Sequence, residues 1–235
     1  MKKSIVSISL AVAIFFITAV TLCVQALNGA QTVGTFAEGG MKIVIDAGHG
    51  GIDGGVTGLT TGKKESDLNL EISLVLKERL ENNGFDVTLT RKTEGGLYDV
   101  ATKGFKRRDM QRRKEIIEDT KPVFTLSIHQ NFYPSKSVRG GQVFYNAKDY
   151  KSVRLAKALQ EELNGLYAKD GAKARKEKAG EYYMLECTTY PSVIVECGFL
   201  SNAKDEALLT NGAWQEIFAE SIVSAVMKYV SDYTA

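Results

Sequence analysis

The sequence contains two histidines, His49 and His129, and each lies at the end of a short apolar run. His49 comes shortly after Ile-Val-Ile, His129 directly follows Val-Phe-Thr-Leu-Ser-Ile, and a third run, Val-Ile-Val, ends in Glu196. Short apolar runs bounded by turn residues are typical of strands buried on both faces. Ligands of open α/β sheets bind beyond the carboxyl ends of the strands. Two imidazoles and a carboxylate at one edge of a sheet therefore indicate a metal hydrolase.

Two histidines and one glutamate are a recurrent ligand set for a hydrolytic zinc, which keeps one further position for water. Besides Glu196 there is a second acidic residue, Glu65, at a point where a helix is expected to begin with Ser66 as its N-cap. If Glu65 is the third ligand, Glu196 is free to act as a general base. It then takes a proton from the attacking water and passes it to the leaving amine.

Each of these residues also has a simpler interpretation. A single histidine at a strand end is more often a hydrogen-bonded structural residue than a metal ligand. Glu65 stands in Lys-Lys-Glu-Ser-Asp, which fits an ordinary solvated helix start, and Asp46 fits either a partner of a ligand or a plain strand-end acid. Spacing alone therefore indicates a metal hydrolase and goes no further.

Strand and helix patterns alternate along most of the chain. Apolar residues at helical spacing, with turn signals, predict helices over 66–82, 107–119, 149–167 and 213–231. Short apolar runs predict strands over 42–46, 85–90, 123–128, 141–145, 182–185 and 192–196. This alternation predicts an α/β fold: a single domain with a mostly parallel central sheet and helices on both faces.

The 235 residues, 44% of them hydrophobic and 25% charged, are enough for one domain with a substantial core. Lys2 and Lys3 precede a long uncharged apolar segment, so residues 1–26 are expected to be a signal peptide or an N-terminal membrane anchor. Residues 27–40 are expected to form a linker, and residues 41–235 the catalytic domain. The expected location is outside the cytoplasmic membrane, which the chain touches only through its N-terminal segment.

Residues 1–26 contain two lysines and no acidic residue, so the rest of the chain is formally neutral. This argues against nucleic acid as a partner. Basic residues still cluster over 103–114 and 169–178. A solvated helix face and loop are expected there, with contact to an anionic polymer or a partner protein as the alternative. Cys187 and Cys197 are expected to be unpaired thiols, although an oxidising compartment would allow a bridge.

Four parts of the sequence resemble the zinc-dependent N-acetylmuramoyl-L-alanine amidases. In chain order they are Asp-Ala-Gly-His-Gly-Gly at 46–51, Glu65, Ser-Ile-His-Gln-Asn at 127–131, and Pro-Ser-Val-Ile-Val-Glu-Cys-Gly-Phe-Leu-Ser-Asn at 191–202. The resemblance implies a zinc ion on His49, Glu65 and His129, with Glu196 as the catalytic acid/base. It also implies cleavage of the amide between the lactyl group of muramic acid and L-alanine in peptidoglycan. The segment 109–113 resembles the helix motif that precedes the second histidine strand in this family.

A short catalytic domain behind an apolar N-terminal segment is similar to the germination-specific amidases of the spore cortex, which trim peptides so that muramic lactam can form. Some members of the family need an activating protein partner, and the sequence leaves open whether this chain does. Phe132 and Val56 each stand where the family commonly has alanine, which concerns substrate preference. Tyr182 and Tyr183 are expected in the core or on the sheet surface, with the wall of a glycan cleft as the alternative.

Two other functions remain open from the sequence. One is a different exported zinc hydrolase, such as a peptidase or a deacetylase, which would be distinguished by the bond that it cuts. The other is a non-catalytic wall-binding adaptor, which would be expected to have lost a ligand or the catalytic glutamate. All four residues of the expected site are present, which favours an enzyme.

Overall fold

The computed structural model describes residues 40–234 of the chain. The expected leader, 1–26, and the expected linker up to residue 39 lie outside the described residues. The strands are β1 (Lys42–Ala47), β2 (Asp86–Leu89), β3 (Phe124–Asn131), β4 (Gln142–Tyr145), β5 (Lys178–Ala179) and β6 (Ser192–Phe199). The helices are α1 (Glu65–Asn82), α2 (Phe105–Thr120), α3 (Tyr150–Ala168), α4 (Tyr183–Glu186), α5 (Ala203–Leu209) and α6 (Gly212–Thr234).

The strands form one sheet in the order β2-β1-β3-β6-β4-β5. Strands β2, β1, β3 and β6 run parallel to one another, whereas β4 is antiparallel to β6 and is joined by the short parallel strand β5. The predicted mostly parallel sheet is confirmed. Its four parallel strands deliver their carboxyl ends to a common edge, where a ligand is expected to bind.

Helices cover both faces of the sheet, as predicted. On one face, α1 and α3 pack against the sheet and α6 packs against both of these helices. Helices α2 and α4 lie on the other face, where Ile117 and Met184 pack on Val44 of β1. Residues on the central strands β1, β3 and β6 are almost completely buried, which explains why these strands read as continuous apolar runs.

The predicted strand at 182–185 is wrong, because residues 183–186 form the single helical turn α4. Tyr182 and Tyr183 are exposed and the next two residues, Met184 and Leu185, are buried. Two exposed residues followed by two buried residues are typical of a helix, because in a strand exposed and buried residues alternate one by one. Helix α5 was not predicted; the Asn202 side chain caps it by accepting from two backbone N–H groups of the first turn.

Helix α1 begins at Glu65, one residue before the predicted start, and Lys64 occupies the N-cap position. Ser66 lies inside the first turn, so its expected role as the N-cap is wrong. Glu65 itself is the first helical residue, where the positive end of the helix dipole stabilises a carboxylate. Within residues 40–234, none of the helices combines the length and the apolarity required to cross a membrane.

Candidate active site

The residues singled out in the sequence meet at the carboxyl edge of the parallel strands. His49 follows β1, His129 lies in β3 and Glu196 lies in β6. His129 and Glu196 are direct partners in the β3–β6 register, so both side chains lie on the same face of the sheet. Glu65 reaches this edge from the first turn of α1.

His49, Glu65 and His129 place one potential ligand atom each within 4.8 Å of one another. Glu65 Oε1 lies 3.3 Å from His49 Nε2 and 2.9 Å from His129 Nδ1. In a tetrahedral zinc site, bonds of about 2.0–2.2 Å put neighbouring ligand atoms about 3.3–3.6 Å apart. The two distances from Glu65 are close to these values, and the spread of 4.8 Å over the three atoms is small enough for one metal ion to contact all of them.

The Glu65 carboxylate is held in place from two sides. Oε1 accepts a hydrogen bond from the backbone N–H of Gln130 at 3.1 Å, and Oε2 accepts one from Val56 at 2.9 Å. Gly55 makes this approach possible, since a Cβ there would lie 2.4 Å from Glu65 Oε2. Burial would raise the pKa of Glu65, but the two neighbouring histidines outweigh burial and hold it well below its usual range. Glu65 is thus a carboxylate, the form that binds a cation.

His49 lies in a left-handed backbone conformation, with φ of 60°. This conformation is uncommon for residues other than glycine and requires support from the surrounding structure. The Nδ1 atom lies 3.0 Å from Oδ1 of Asp53, and Oδ2 of the same carboxylate lies 3.2 Å from Nζ of Lys106. A carboxylate beside the second ring nitrogen of a ligand histidine fixes its tautomer and orientation.

Two buried arginines hold the backbone that leads into His49. Arg91 donates to the carbonyl oxygens of Ala47 at 2.8 Å and Gly48 at 3.0 Å. Arg113 donates to those of Ala47 at 2.8 Å and His49 at 2.6 Å. Three consecutive carbonyl groups are therefore fixed by guanidinium groups, and this supports the left-handed conformation of His49.

Arg113 also forms two buried ion pairs, at 2.5 Å with Asp46 and at 2.6 Å with Asp109. Burial would raise the pKa of Asp46, but Arg113 and the hydroxyl groups of Ser127 and Thr90 lower it to about 2. Asp46 is thus a partner of Arg113 and not a simple strand-end acid. The expectation of a solvated helix face over 103–114 is wrong for Arg113, which is 1% exposed.

The remaining basic residues of 103–114 are exposed or half-buried, as expected for a solvated surface. The lysines of 169–178 are likewise exposed, while Arg175 is half-buried and its guanidinium lies 5.0 Å from the ring centre of Phe199. Both expected thiols are free, Cys197 buried and Cys187 partly so.

We expect Arg113→Met to lower the free energy of unfolding by about 3–5 kcal/mol, because removing one partner of a buried ion pair leaves the other charge uncompensated. The neighbouring Arg112 is exposed and pairs with Glu115 at 3.0 Å, so Arg112→Met should change the same quantity by less than about 0.5 kcal/mol. Urea unfolding of the two variants measures both values. Similar losses in the two variants would contradict the structural role of Arg113.

Glu196 lies beside the three potential ligands but is not one of the group. Burial raises the pKa of Glu196 to about 7, while the charges of His129 and Glu65 act on it in opposite directions. Its Oε2 atom is buried and has no hydrogen-bond partner among the described residues. A carboxyl group with a pKa near neutrality can both accept and release a proton, which a general acid/base must do.

A cleft of about 490 Å³ lies over these four residues. Its walls include Lys106 and Met110 of α2, Phe132 after β3, and the two tyrosines Tyr182 and Tyr183. Val56 also lines the cleft. The alternative expectation for Tyr182 and Tyr183, the wall of the cleft, is therefore the one that the structure bears out.

Sequence reasoning missed the residues that support the site from loops. Asp53 and Arg91 lie outside the regular elements, where no periodic pattern distinguishes a functional side chain from a solvated one. Arg113 had a detectable signal, since it lies four residues after Asp109 and four before Ile117. Asp109, Arg113 and Ile117 are all buried, on the same side of α2.

Comparisons with known proteins identify the family of this chain. The sequence model of the N-acetylmuramoyl-L-alanine amidase family matches residues 43–228. The germination-specific N-acetylmuramoyl-L-alanine amidase of Bacillus subtilis is 33% identical over 197 residues, which cover 82% of this chain and 81% of that protein.

Solved structures show the same fold. The CwlD amidase of Clostridioides difficile, determined in complex with the GerS lipoprotein, is 37% identical and superposes with a TM-score of 0.76 over 81% of this chain and 98% of that one. The catalytic domain of CwlV, an N-acetylmuramoyl-L-alanine amidase of Paenibacillus polymyxa, is 28% identical with a TM-score of 0.70 and covers 81% of this chain and 98% of that domain. With the same fold and a family match that spans the strands bearing His129 and Glu196, this chain belongs to the N-acetylmuramoyl-L-alanine amidase family.

Proposed function

We propose that this peptidoglycan amidase works with a zinc ion held by His49, Glu65 and His129, and with Glu196 as its general acid/base. The observation that carries the proposal is the position of Glu65 Oε1, 3.3 Å from His49 Nε2 and 2.9 Å from His129 Nδ1. Two histidines and a glutamate are the ligand set of several zinc hydrolases.

When bound, zinc supplies a Lewis acid that polarises the amide carbonyl and lowers the pKa of water. The residues of the chain orient the ligands and transfer the proton. Asp53 orients the His49 ring, and the backbone N–H groups of Gln130 and Val56 orient the Glu65 carboxylate. Glu196 accepts a proton from the attacking water and delivers it to the nitrogen of L-alanine, so that the amide breaks to a lactyl carboxylate and a free amine.

For the biological setting we propose the spore cortex, where peptide trimming precedes formation of muramic lactam. The germination-specific relative from Bacillus subtilis supports this setting. The Clostridioides difficile relative was solved in complex with a lipoprotein, which supports a protein partner for this chain as well. Deletion of the gene should then remove muramic lactam from the cortex, and cortex with normal lactam content would contradict the setting.

We also propose that residues 1–26 export the chain or anchor it, that residues 27–40 are a linker, and that residues 41–235 act outside the cytoplasmic membrane. Lys2, Lys3 and the uncharged apolar segment after them support the export. Protease added to intact cells stripped of their wall should digest the catalytic domain. A domain that is protected until the membrane is broken would contradict this location.

The reaction is tested by incubating the zinc-loaded protein with purified peptidoglycan and identifying the fragments by mass spectrometry. We expect new free amino groups on L-alanine and no new reducing sugar ends. A sample treated with a chelator should show no new amino groups on L-alanine. Release of acetate, or cuts between amino acids, would overturn the proposal in favour of a deacetylase or a peptidase.

A further inference from the structure

The two ends of the cleft have different chemistry. At one end, Lys106 is 65% exposed and its ammonium group lies 3.2 Å from Oδ2 of Asp53. At the other end, Tyr182 and Tyr183 are 47% and 46% exposed, although aromatic side chains usually bury most of their surface. One end therefore offers an exposed ammonium group that is shared with Asp53, and the other offers broad aromatic surface.

The strand order places these two ends on opposite sides of the reacting groups. Asp53, which holds Lys106, lies in the loop after β1. The Tyr182 ring packs against the Phe144 ring of β4, with 5.4 Å between the ring centres. Strands β3 and β6, which carry His129 and Glu196, lie between β1 and β4. A substrate whose scissile bond lies over the two central strands therefore extends toward Lys106 in one direction and toward Tyr182 in the other.

The Tyr182 ring is fixed by its surroundings. A Cβ at Gly180 would lie 2.5 Å from Tyr182 Cε2, so the ring lies directly against the glycine backbone on one side. Phe144 contacts it edge-to-face at an interplanar angle of 75°. An exposed ring that is already immobilised loses little conformational entropy when a ligand packs on it.

The substrate of an N-acetylmuramoyl-L-alanine amidase is equally asymmetric. On the carbonyl side of the scissile amide is muramic acid, an uncharged sugar ring whose C–H face can pack on an aromatic ring. On the amine side is a peptide in which D-glutamate follows L-alanine and carries a free α-carboxylate. A lysine ammonium group binds a carboxylate through charge-assisted hydrogen bonds.

We propose that the cleft binds the substrate in one orientation, with the sugar on Tyr182 and the α-carboxylate after L-alanine on Lys106. The inference rests on the proposed amidase function and names the two residues that determine specificity. Lys106 can serve Asp53 and a ligand together, because an ammonium group has three donors. In this orientation the leaving peptide, which begins with the nitrogen of L-alanine, extends toward Lys106.

The test compares two sets of uncrosslinked glycan strands that differ only in the second residue of the peptide, D-glutamate in one and D-isoglutamine in the other. The zinc-loaded full chain should cleave the D-glutamate strands with a kcat/KM about tenfold higher, the scale of one hydrogen bond to a charged group. Lys106→Ala should bring the two kcat/KM values close to each other, and Lys106→Arg should retain the preference for D-glutamate. Lys103 is an exposed lysine outside the cleft, so Lys103→Ala should behave as the wild type.

The ratio of the two rates separates binding of the carboxylate from an indirect effect through Asp53, because disturbing Asp53 slows both substrates equally. Tyr182→Ala should raise KM for both kinds of strand about tenfold without changing their ratio, and Tyr182→Phe should leave KM nearly unchanged. Equal rates for the two substrates in the wild type, or an equal loss for both in Lys106→Ala, would overturn the proposed orientation. A wild type that cleaves neither substrate at the L-alanine amide would overturn the amidase function itself.

Discussion

Glu196→Gln should reduce turnover of peptidoglycan by about 10²–10⁴-fold, which is the usual contribution of a general acid/base. The amide has nearly the same shape as the carboxyl group but neither accepts the proton of the attacking water nor returns one to L-alanine. Because Glu196 lies beside the His49, Glu65 and His129 group without belonging to it, the variant should bind as much zinc as the wild type. The measurement pairs initial rates of amine release with zinc content.

A suitable control is Glu186→Gln, since Glu186 is an exposed glutamate at the end of α4 that does not line the cleft. Its rate should equal that of the wild type. If Glu196→Gln cleaves at the wild-type rate, the proposed proton transfer is wrong. If zinc disappears together with activity, Glu196 is a ligand and the ligand set needs revision.

His129→Ala should abolish zinc binding at micromolar metal and, with it, hydrolysis. Loss of a residue that merely supports a ligand costs about 10–100-fold in metal affinity, and loss of a ligand itself should cost more. The remaining pair, His49 and Glu65, would leave the ion with two protein ligands where catalytic zinc sites have three. Metal analysis after dialysis gives the stoichiometry directly.

Circular dichroism of the same samples should show that His129→Ala still has its secondary structure, because the ring is half-buried at the rim of the sheet. The Glu196→Gln variant, which should keep its zinc, serves as the matched comparison. Equal zinc content in His129→Ala and the wild type would exclude His129 as a ligand.

The central sheet and the meeting of three of the four candidate site residues followed from simple sequence patterns. His49, His129 and Glu196 each come at or just after an apolar run, and the carboxyl ends of parallel strands meet at one edge whatever the rest of the fold does. Glu65 is different, because it enters the site from the start of a helix. Its local sequence is that of a solvated surface, so its place at the helix start made it only a candidate, and the resemblance to a family supplied the assignment.

The rest of the site depends on contacts between residues far apart in the chain. Arg91 reaches the carbonyl oxygens of Ala47 and Gly48 across 44 and 43 positions, and nothing in the sequence around Arg91 indicates that contact. Arg113 sits in a run of basic residues, where charge alone suggests solvent exposure. The segment 182–185 was mistaken for a strand because its aromatic residues favour strands, whereas their exposure follows a helical period.

The four residues of the candidate site are held in place by different kinds of structure. His129 and Glu196 belong to neighbouring central strands, and the amide protons of such strands are expected to exchange with solvent only when most of the domain unfolds. His49 lies in a loop after β1 and Glu65 in the first turn of a helix. Their positions depend on side-chain contacts: Arg91 and Arg113 hold the backbone at Gly48 and His49, and two backbone N–H groups hold the Glu65 carboxylate. If the proposed ligand set is correct, the chain's own contacts hold these two ligands in position, so the protein should fold before it binds zinc.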